Sequence, residues 1–207
     1  DDNCITGTKA GVEYAKKELF KHFECDDTGE MKEYVGNKVE KKNGMVKITQ
    51  PVLLQSFVNE FKFDRDHKVK NPAVPGTVLH PTENKLSNED QFTYRSGTGK
   101  LLHLMKWSRP EIGNAVRELS RWMTGAGPAH LKAMYRVFNY CLNTSERGKV
   151  FKPRRNCNHD DIDKFEFIIE GYSDSDYAKD PVKRRSVSGY CSFLEGCPVN
   201  TKSRMQP

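Results

Sequence analysis

Asp174 and Asp176 are the residues of this chain whose type and spacing most directly suggest chemistry. They lie in residues 171–190, GYSDSDYAKDPVKRRSVSGY, just after the apolar run Phe165-Glu166-Phe167-Ile168-Ile169. Two positions apart in a strand, they share one face. A sheet holds its backbone rigid, so carboxylates at the exposed end of a strand are well placed to bind a divalent cation and support metal-assisted phosphoryl chemistry. Oxygen-only ligands favour Mg²⁺ or Mn²⁺ over zinc. The same S-D-S-D string also fits a solvated turn. Asp1-Asp2 is a second carboxylate pair.

The elements that must position these acids are read from periodicity. Residues 3–7 read as a short strand. Residues 9–23 read as an amphipathic helix with Val12, Ala15, Leu19, Phe20 and Phe23 on one stripe. After a turn at 26–30, residues 31–41 and 45–49 read as strands joined by Asn43-Gly44, a strong two-residue hairpin signal. Residues 50–63 read as a helix. Residues 64–90 carry Pro72, Pro75 and Pro81, which exclude a continuous helix, and their length points to a linker or a loop laid on the surface. Three helices follow. The first spans 91–107. The second starts at Ser108 as N-cap, with Pro110 in the first turn and Glu111 closing a capping box, and the third spans 129–143. Residues 152–163 are polar and read as a linker. Strands are expected at 164–173, 187–195 and 199–204, the last after a turn at Gly196-Cys197-Pro198.

The chain has 207 residues, enough for one large domain or two small ones. Hydrophobic residues make up 36% and charged residues 30%, so the expected cores are modest. A net charge of +6, from 34 Lys+Arg against 28 Asp+Glu, is compatible with a polyanionic partner and equally ordinary for a globular protein. The six cysteines, Cys4, Cys25, Cys141, Cys157, Cys191 and Cys197, lack the spacing of a zinc site, which favours free thiols in a reducing compartment. No run approaches a membrane-spanning length, so no membrane partner is expected. The start at Asp1, without Met or a basic-apolar leader, suggests a fragment or a processed product. Gly97-Thr98-Gly99-Lys100 fails as a phosphate loop: no glycine stands five residues before Gly99, and Leu101 occupies the Ser/Thr position. Gly97 and Gly99 are read instead as allowing close helix packing or a local break.

Longer phrases carry more than single residues. Tyr172-Ser-Asp-Ser-Asp-Tyr-Ala178, then Asp180-Pro181, then Arg184-Arg-Ser-Val-Ser-Gly-Tyr190 resembles the opening of the ribonuclease H domain of copia-type LTR retrotransposon polyproteins. There the pattern reads roughly Y-S-D-A-D-W-A, a short acidic turn, and R-R-S-T-S-G-Y. Tyr177 stands where that family usually has Trp. Upstream, Lys21-His-Phe-Glu24, Asp27-Thr-Gly-Glu-Met-Lys32 and Gly36 resemble the same family's reverse transcriptase, in the segment after its Y-x-D-D signature. Between them, Y-R-S, S-R-P-E-I, A-V-x-x-L-S-R and H-L-K-A-x-x-R-V-x-x-Y resemble its thumb and connection. Gly97 and Thr98 depart from the usual Leu-Val there.

The resemblance implies an α+β chain of incomplete domains. Residues 1–63 would be a palm remnant of helix plus β-hairpin, 64–90 a linker, 91–150 a helical thumb and connection, 151–163 a second linker, and 164–207 the first three antiparallel strands of a ribonuclease H-like sheet. It implies that Asp1 and Asp2 match the two signature aspartates and Asp174 the first metal-binding carboxylate of the ribonuclease H site, with Asp176 supporting. These three are the expected catalytic and metal residues, with Mg²⁺ or Mn²⁺ as cofactor of the parent enzyme, weak or absent in this segment. The parent reaction would be RNA-directed DNA synthesis with degradation of the RNA strand. The partners would be RNA template, RNA–DNA hybrid, dNTP and the rest of the polyprotein, in cytoplasmic virus-like particles and the nucleus. Further ribonuclease H carboxylates fall outside the match, so this segment is expected to be inactive alone and its last 45 or so residues poorly folded alone. Arg95, Lys100, Arg109, Arg117, Arg121, Lys132 and Arg136 are the expected phosphate contacts. The alternative is a non-enzymatic nucleic-acid-binding or interaction protein derived from a decayed element.

Overall fold

Local signals close most of the elements. The computed structural model describes residues 3–76, 78–155, 164–180 and 182–207. Helix α1 (Lys9–His22) begins where the Thr8 hydroxyl accepts from the Gly11 N–H, and none of its residues is fully buried. Residues 3–7 form no strand. Strands β1 (Glu33–Tyr34), β2 (Asn37–Lys42) and β3 (Met45–Thr49) form two successive hairpins where one long strand and one turn are expected. The extra turn is Val35-Gly36, with φ of 48° and 71°. A β-branched residue is strained there. The buried Asn37 amide compensates by donating to the Tyr34 and Val35 carbonyls at 2.9 and 3.1 Å. The Asn43-Gly44 turn forms as expected, with φ of 52° and 70°. Strand β4 (Lys149–Phe151), which the sequence reading lacks, pairs antiparallel with β3 and completes the order β1-β2-β3-β4.

The core is helical. Helices α2 (Pro51–Glu60), α3 (Asn88–Trp107), α4 (Gly113–Ser120) and α5 (Pro128–Asn143) bury Leu54, Phe57, Tyr94, Leu101, Leu104, Val116, Leu119, Met134 and Phe138. Phe57 stacks on Phe138 with ring centroids 4.2 Å apart, and the Tyr94 hydroxyl donates to the Leu119 carbonyl at 2.7 Å. That bond satisfies the polar tip of an otherwise apolar, buried ring. Helix α3 starts three residues earlier than expected, because Ser87 caps it by accepting from the Asp90 N–H. Ser108 closes α3 rather than opening the next helix: its N–H bonds the Leu104 carbonyl and its hydroxyl donates to Gln50 at 2.8 Å. The expected capping box is absent. Pro110–Ile112 form a 3-10 turn, and Glu111 pairs with Arg109.

The stretch before α3 is a strap laid on this core. Asn139 and Asn143 donate to the carbonyls of Asp64 and His67, Leu86 bonds back to Ala126, and Val69, Leu79 and Leu86 pack on the helices. A cavity of about 1150 Å³ lies between the strap and α4–α5.

Strands β5 (Ile169–Asp176), β6 (Val187–Leu194) and β7 (Cys197–Met205) form a separate antiparallel sheet in that order. Strand β5 runs later than the expected 164–173 because the Ile168 N–H goes to the Glu195 carboxylate instead of a ladder. The β6–β7 turn falls at Glu195-Gly196, one residue early. Buried Glu195 also takes a fork from Arg155, whose Nε lies 3.1 Å from Oε2, and Arg154 donates its N–H to the Glu195 carbonyl. Residues 154–155, expected in a free linker, are therefore stitched to the sheet. Asp1, Asp2, Cys157 and most of that linker lie outside the described residues. The architecture is mixed α and β with antiparallel sheets, as expected at that level.

Two predictions follow from these contacts. A Cβ on Gly97 would fall 2.5 Å from Met134 Sδ and 2.9 Å from Phe138 Cζ, whereas one on Gly99 would meet nothing within 4 Å. In urea unfolding, Gly97→Ala is expected to cost about 1–3 kcal/mol, and Gly99→Ala to gain up to about 1 kcal/mol. The Arg155 fork and the Ile168 N–H hold the Glu195 carboxyl down to about 2, from an ordinary value near 4.5. A lowered carboxyl stabilises the fold above its unfolded value and loses that contribution as pH falls towards its folded value. Acid titration of sheet unfolding between about pH 4.5 and 2 should therefore lose a step in Glu195→Gln, and an unchanged profile would show that the fork contributes nothing.

Candidate nucleic-acid interface

Cross-strand register decides where Asp174 points. Asp174 pairs with Gly189, which pairs with Ser203, and Tyr172 pairs with Cys191, which pairs with Thr201. These rows share one face of the sheet. Ser203 accepts from Arg117 Nε of α4 at 2.9 Å, so this face looks at the helices. Asp174 is exposed on it. Between sheet and helices runs a groove of about 780 Å³, lined by Asp174, Tyr172 and Cys191 on one side, Lys106 and Arg117 on the other, and Lys149 of β4. Lys106 lies 5.5 Å over the Trp107 ring. Lys149 is half-buried, and burial pulls its ammonium below the ordinary value. Neither lysine has a carboxylate partner among the described residues.

The seven cations expected to contact phosphate divide sharply. Arg95 and Lys132 are exposed. Arg136 is half-buried, and its Nε has no hydrogen-bond partner. Lys100 is tied to Ser56 at 3.0 Å and Glu60 at 2.8 Å. Arg109 is 1% exposed. Its guanidinium bonds Glu111, the Thr144 carbonyl at 3.1 Å and the Thr144 hydroxyl at 2.6 Å, and it lies against the Tyr140 ring. Arg117 is held by Asn114, Glu118 and Ser203, and Arg121 by Glu118 and Asp180. Arg117 and Arg121 thus lie off the helix core, but against the sheet rather than water. Of the seven, Arg117 alone shares the groove with Asp174.

The carboxylates do not assemble. Asp176 shares the face of Asp174, but its carboxylate pairs with Lys179 at 3.1 Å. Among the described residues no group of three or more His, Cys, Asp or Glu is placed to hold a metal ion. A two-metal centre needs several carboxylates at fixed geometry, so the donor set described here does not fit one, and no metal-dependent step follows from it. Cys4, Cys25, Cys141, Cys191 and Cys197 are free thiols, and burial pushes that of Cys141 up to about 12, which makes it inert. No helix among the described residues is long and apolar enough to cross a membrane. Sequence reading missed Lys106, Lys149 and Tyr172. For Tyr172 the strand alternation with Asp174 was a usable signal; Lys149 becomes visible only once β4 is paired.

Comparison with known proteins adds a second line. The whole chain is 25% identical over 214 residues to the retrovirus-related Pol polyprotein from transposon TNT 1-94 of Nicotiana tabacum, and spans 15% of it. It is 26% identical over 208 residues to the retrovirus-related Pol polyprotein from transposon RE1 of Arabidopsis thaliana, and spans 13% of that protein. A stretch covering 55% of the chain is 34% identical over 113 residues to the secreted RxLR effector protein 161 of Plasmopara viticola, of which it covers 72%. No protein-family model matches the chain. No solved structure matches it.

The placement of Arg109 is testable. Removing one member of a buried, hydrogen-bonded charge cluster costs about 3–5 kcal/mol, whereas an exposed cation without partners stays within about 0.5 kcal/mol. Arg109→Met should therefore show the large loss in chemical denaturation and Arg95→Ala the small one.

Proposed function

This chain belongs to the family of retrovirus-related transposon Pol polyproteins, and we propose that it serves there as a nucleic-acid-holding segment between polymerase and ribonuclease H chemistry. In this reading it is a copia-type segment. The helix and hairpins of residues 3–63 come from the end of the reverse transcriptase palm, the helices of 88–143 from its thumb and connection, and β5–β7 from the start of the ribonuclease H sheet. The ordered phrases of the sequence support it, as does a first strand of that sheet carrying Asp174. The observation that carries it is the groove. Asp174 faces it across from Lys106 and Lys149, cations without acidic partners among the described residues, with Tyr172 as an aromatic surface. Such walls attract phosphates without reading sequence, and an aromatic face accepts any base.

The partners proposed are RNA template and RNA–DNA hybrid, with dNTP at the polymerase centre of the complete polyprotein. Mg²⁺ or Mn²⁺ belongs, in the same proposal, to that complete protein. Asp174 would contribute one ligand, and Asp1 and Asp2 the polymerase pair. The segment alone holds nucleic acid and performs no hydrolysis or polymerisation. A second reading is a non-enzymatic interaction protein. The match covering most of a Plasmopara viticola protein named as an effector favours it.

Filter binding of a labelled RNA–DNA hybrid tests the first reading. Binding is expected at low salt, with log affinity falling with log salt by about one unit per phosphate contact and a total slope of about −2 to −4. Lys106→Ala and Lys149→Ala should each weaken binding on every sequence and flatten the slope by about one. Absence of binding at low salt would falsify the reading, and a slope indifferent to both lysines would place the contacts elsewhere.

A further inference from the structure

Arg117 on α4 and Arg121 at its C-cap stand one turn apart, the pattern of a phosphate-tracking helix, yet both reach the β5–β7 sheet. Arg121 Nη2 donates to Asp180 Oδ1 at 2.6 Å and its Nη1 to Glu118 Oε2 at 3.0 Å, while the guanidinium lies 5.4 Å over the Trp122 ring. Arg117 donates to Ser203 at 2.9 Å and Asn114 at 2.7 Å, and pairs with the other Glu118 oxygen at 2.8 Å. Glu118 therefore braces both arginines. Asp180 is 3% exposed. It sits in the loop joining β5 to β6, and that loop is wound around it. Its carboxylate accepts from the Val182 N–H at 3.0 Å, its N–H bonds the Arg185 carbonyl, and its carbonyl accepts from Arg184. Burial raises the Asp180 carboxyl, but the Val182 N–H and the Arg121 charge outweigh it, so the group stays charged.

A planar guanidinium that bonds two carboxylates fixes direction as well as distance. The loop that Asp180 anchors follows directly from β5, whose Asp174 faces the groove. The other arginine anchors the third strand on the same face. We propose that Arg121, with Asp180, is a positioning pair that sets the width of the groove between α4 and the sheet, Arg117 and Ser203 closing its far side, and that neither arginine is a phosphate ligand. The proposal rests on the groove being the nucleic-acid site. It adds that the cations which hold the site open are different from those that touch the ligand.

The test separates holding from touching. Asp180→Asn removes a negative charge beside the groove. If Arg121 were a phosphate ligand, that change would free it and tighten hybrid binding. If the pair is a clamp, Asp180→Asn weakens binding about tenfold with the salt slope unchanged, and Arg121→Met does the same. A slope flattened by about one in Arg121→Met would overturn the clamp. Hydrogen exchange measured by mass spectrometry gives a readout without ligand. Either variant should raise exchange in peptides of β5–β7 about tenfold while α3 and α5 keep their protection, and the double variant should be no worse than the worse single. Unchanged sheet exchange would also overturn it. If Arg121→Met fails to fold, Arg121→Lys keeps the charge without the fork: the clamp predicts the same changes at smaller size, a phosphate contact predicts none. Should the parent chain bind no hybrid, the functional reading fails, and the exchange experiment decides the clamp independently.

Discussion

The buried guanidinium of Arg109 is the constraint on which the helical half depends. It occupies the corner where α3 has ended and α4 has not begun, and reaches the carbonyls of Cys141, in the last turn of α5, and of Thr144, its C-cap. Those carbonyls have no partners within their own helix, and a cation among them is favoured by the helix dipole as well. Ser108, one residue earlier, bonds Gln50 at the start of α2. Three helix ends therefore meet in two consecutive residues. The 3-10 turn that follows leaves α4 in one direction, and that direction puts Arg117 and Arg121 against the sheet.

A cation's role here is set by what the fold brings opposite it. Seven Lys and Arg residues look alike in sequence as phosphate contacts. The fold gives four of them, Lys100, Arg109, Arg117 and Arg121, internal partners at hydrogen-bonding distance, and a group so held would have to break those bonds to meet a phosphate. Two other lysines, Lys106 and Lys149, face the groove without a carboxylate partner among the described residues. Lys149 is the more telling, because a half-buried ammonium with no carboxylate partner among the described residues carries a cost that a bound anion relieves.

What could be read in advance was local. The Asn43-Gly44 turn, the helix that starts at Lys9, the helix that ends at Asn143 and the strand that starts at Val187 are all specified within a few residues, and the structure shows them. The failures are non-local. Val35-Gly36 forms a turn because Asn37 folds back to bond it. β4 exists only because β3 has an open edge. Ser108 and Glu111 form a capping box on paper, but Gln50 and Arg109 outcompete the backbone for their side chains. The site divides in the same way. The phrase around Asp174 marks the residue, but the face it occupies depends on pairing with β6 and β7, and the opposite wall comes from residues far away in sequence.

The carboxylates then constrain what this segment can do. A lone exposed aspartate on a strand pays almost no desolvation, and for the same reason it holds a divalent cation weakly. Tight binding needs several acids whose mutual repulsion the ion relieves. Around Asp174 the neighbouring charges are cations, and Asp176 is already neutralised by Lys179. Those surroundings disfavour a cation at Asp174 alone and favour an anionic strand passing beside it. Asp174 would become a metal ligand only when other carboxylates arrive to outweigh Lys106 and Lys149, with a phosphate bringing further negative charge to the same place. Holding the strand and assembling the metal site are then electrostatically linked. In the proposed reading the cationic groove would recruit the phosphate, and the phosphate would make the site acceptable to the ion.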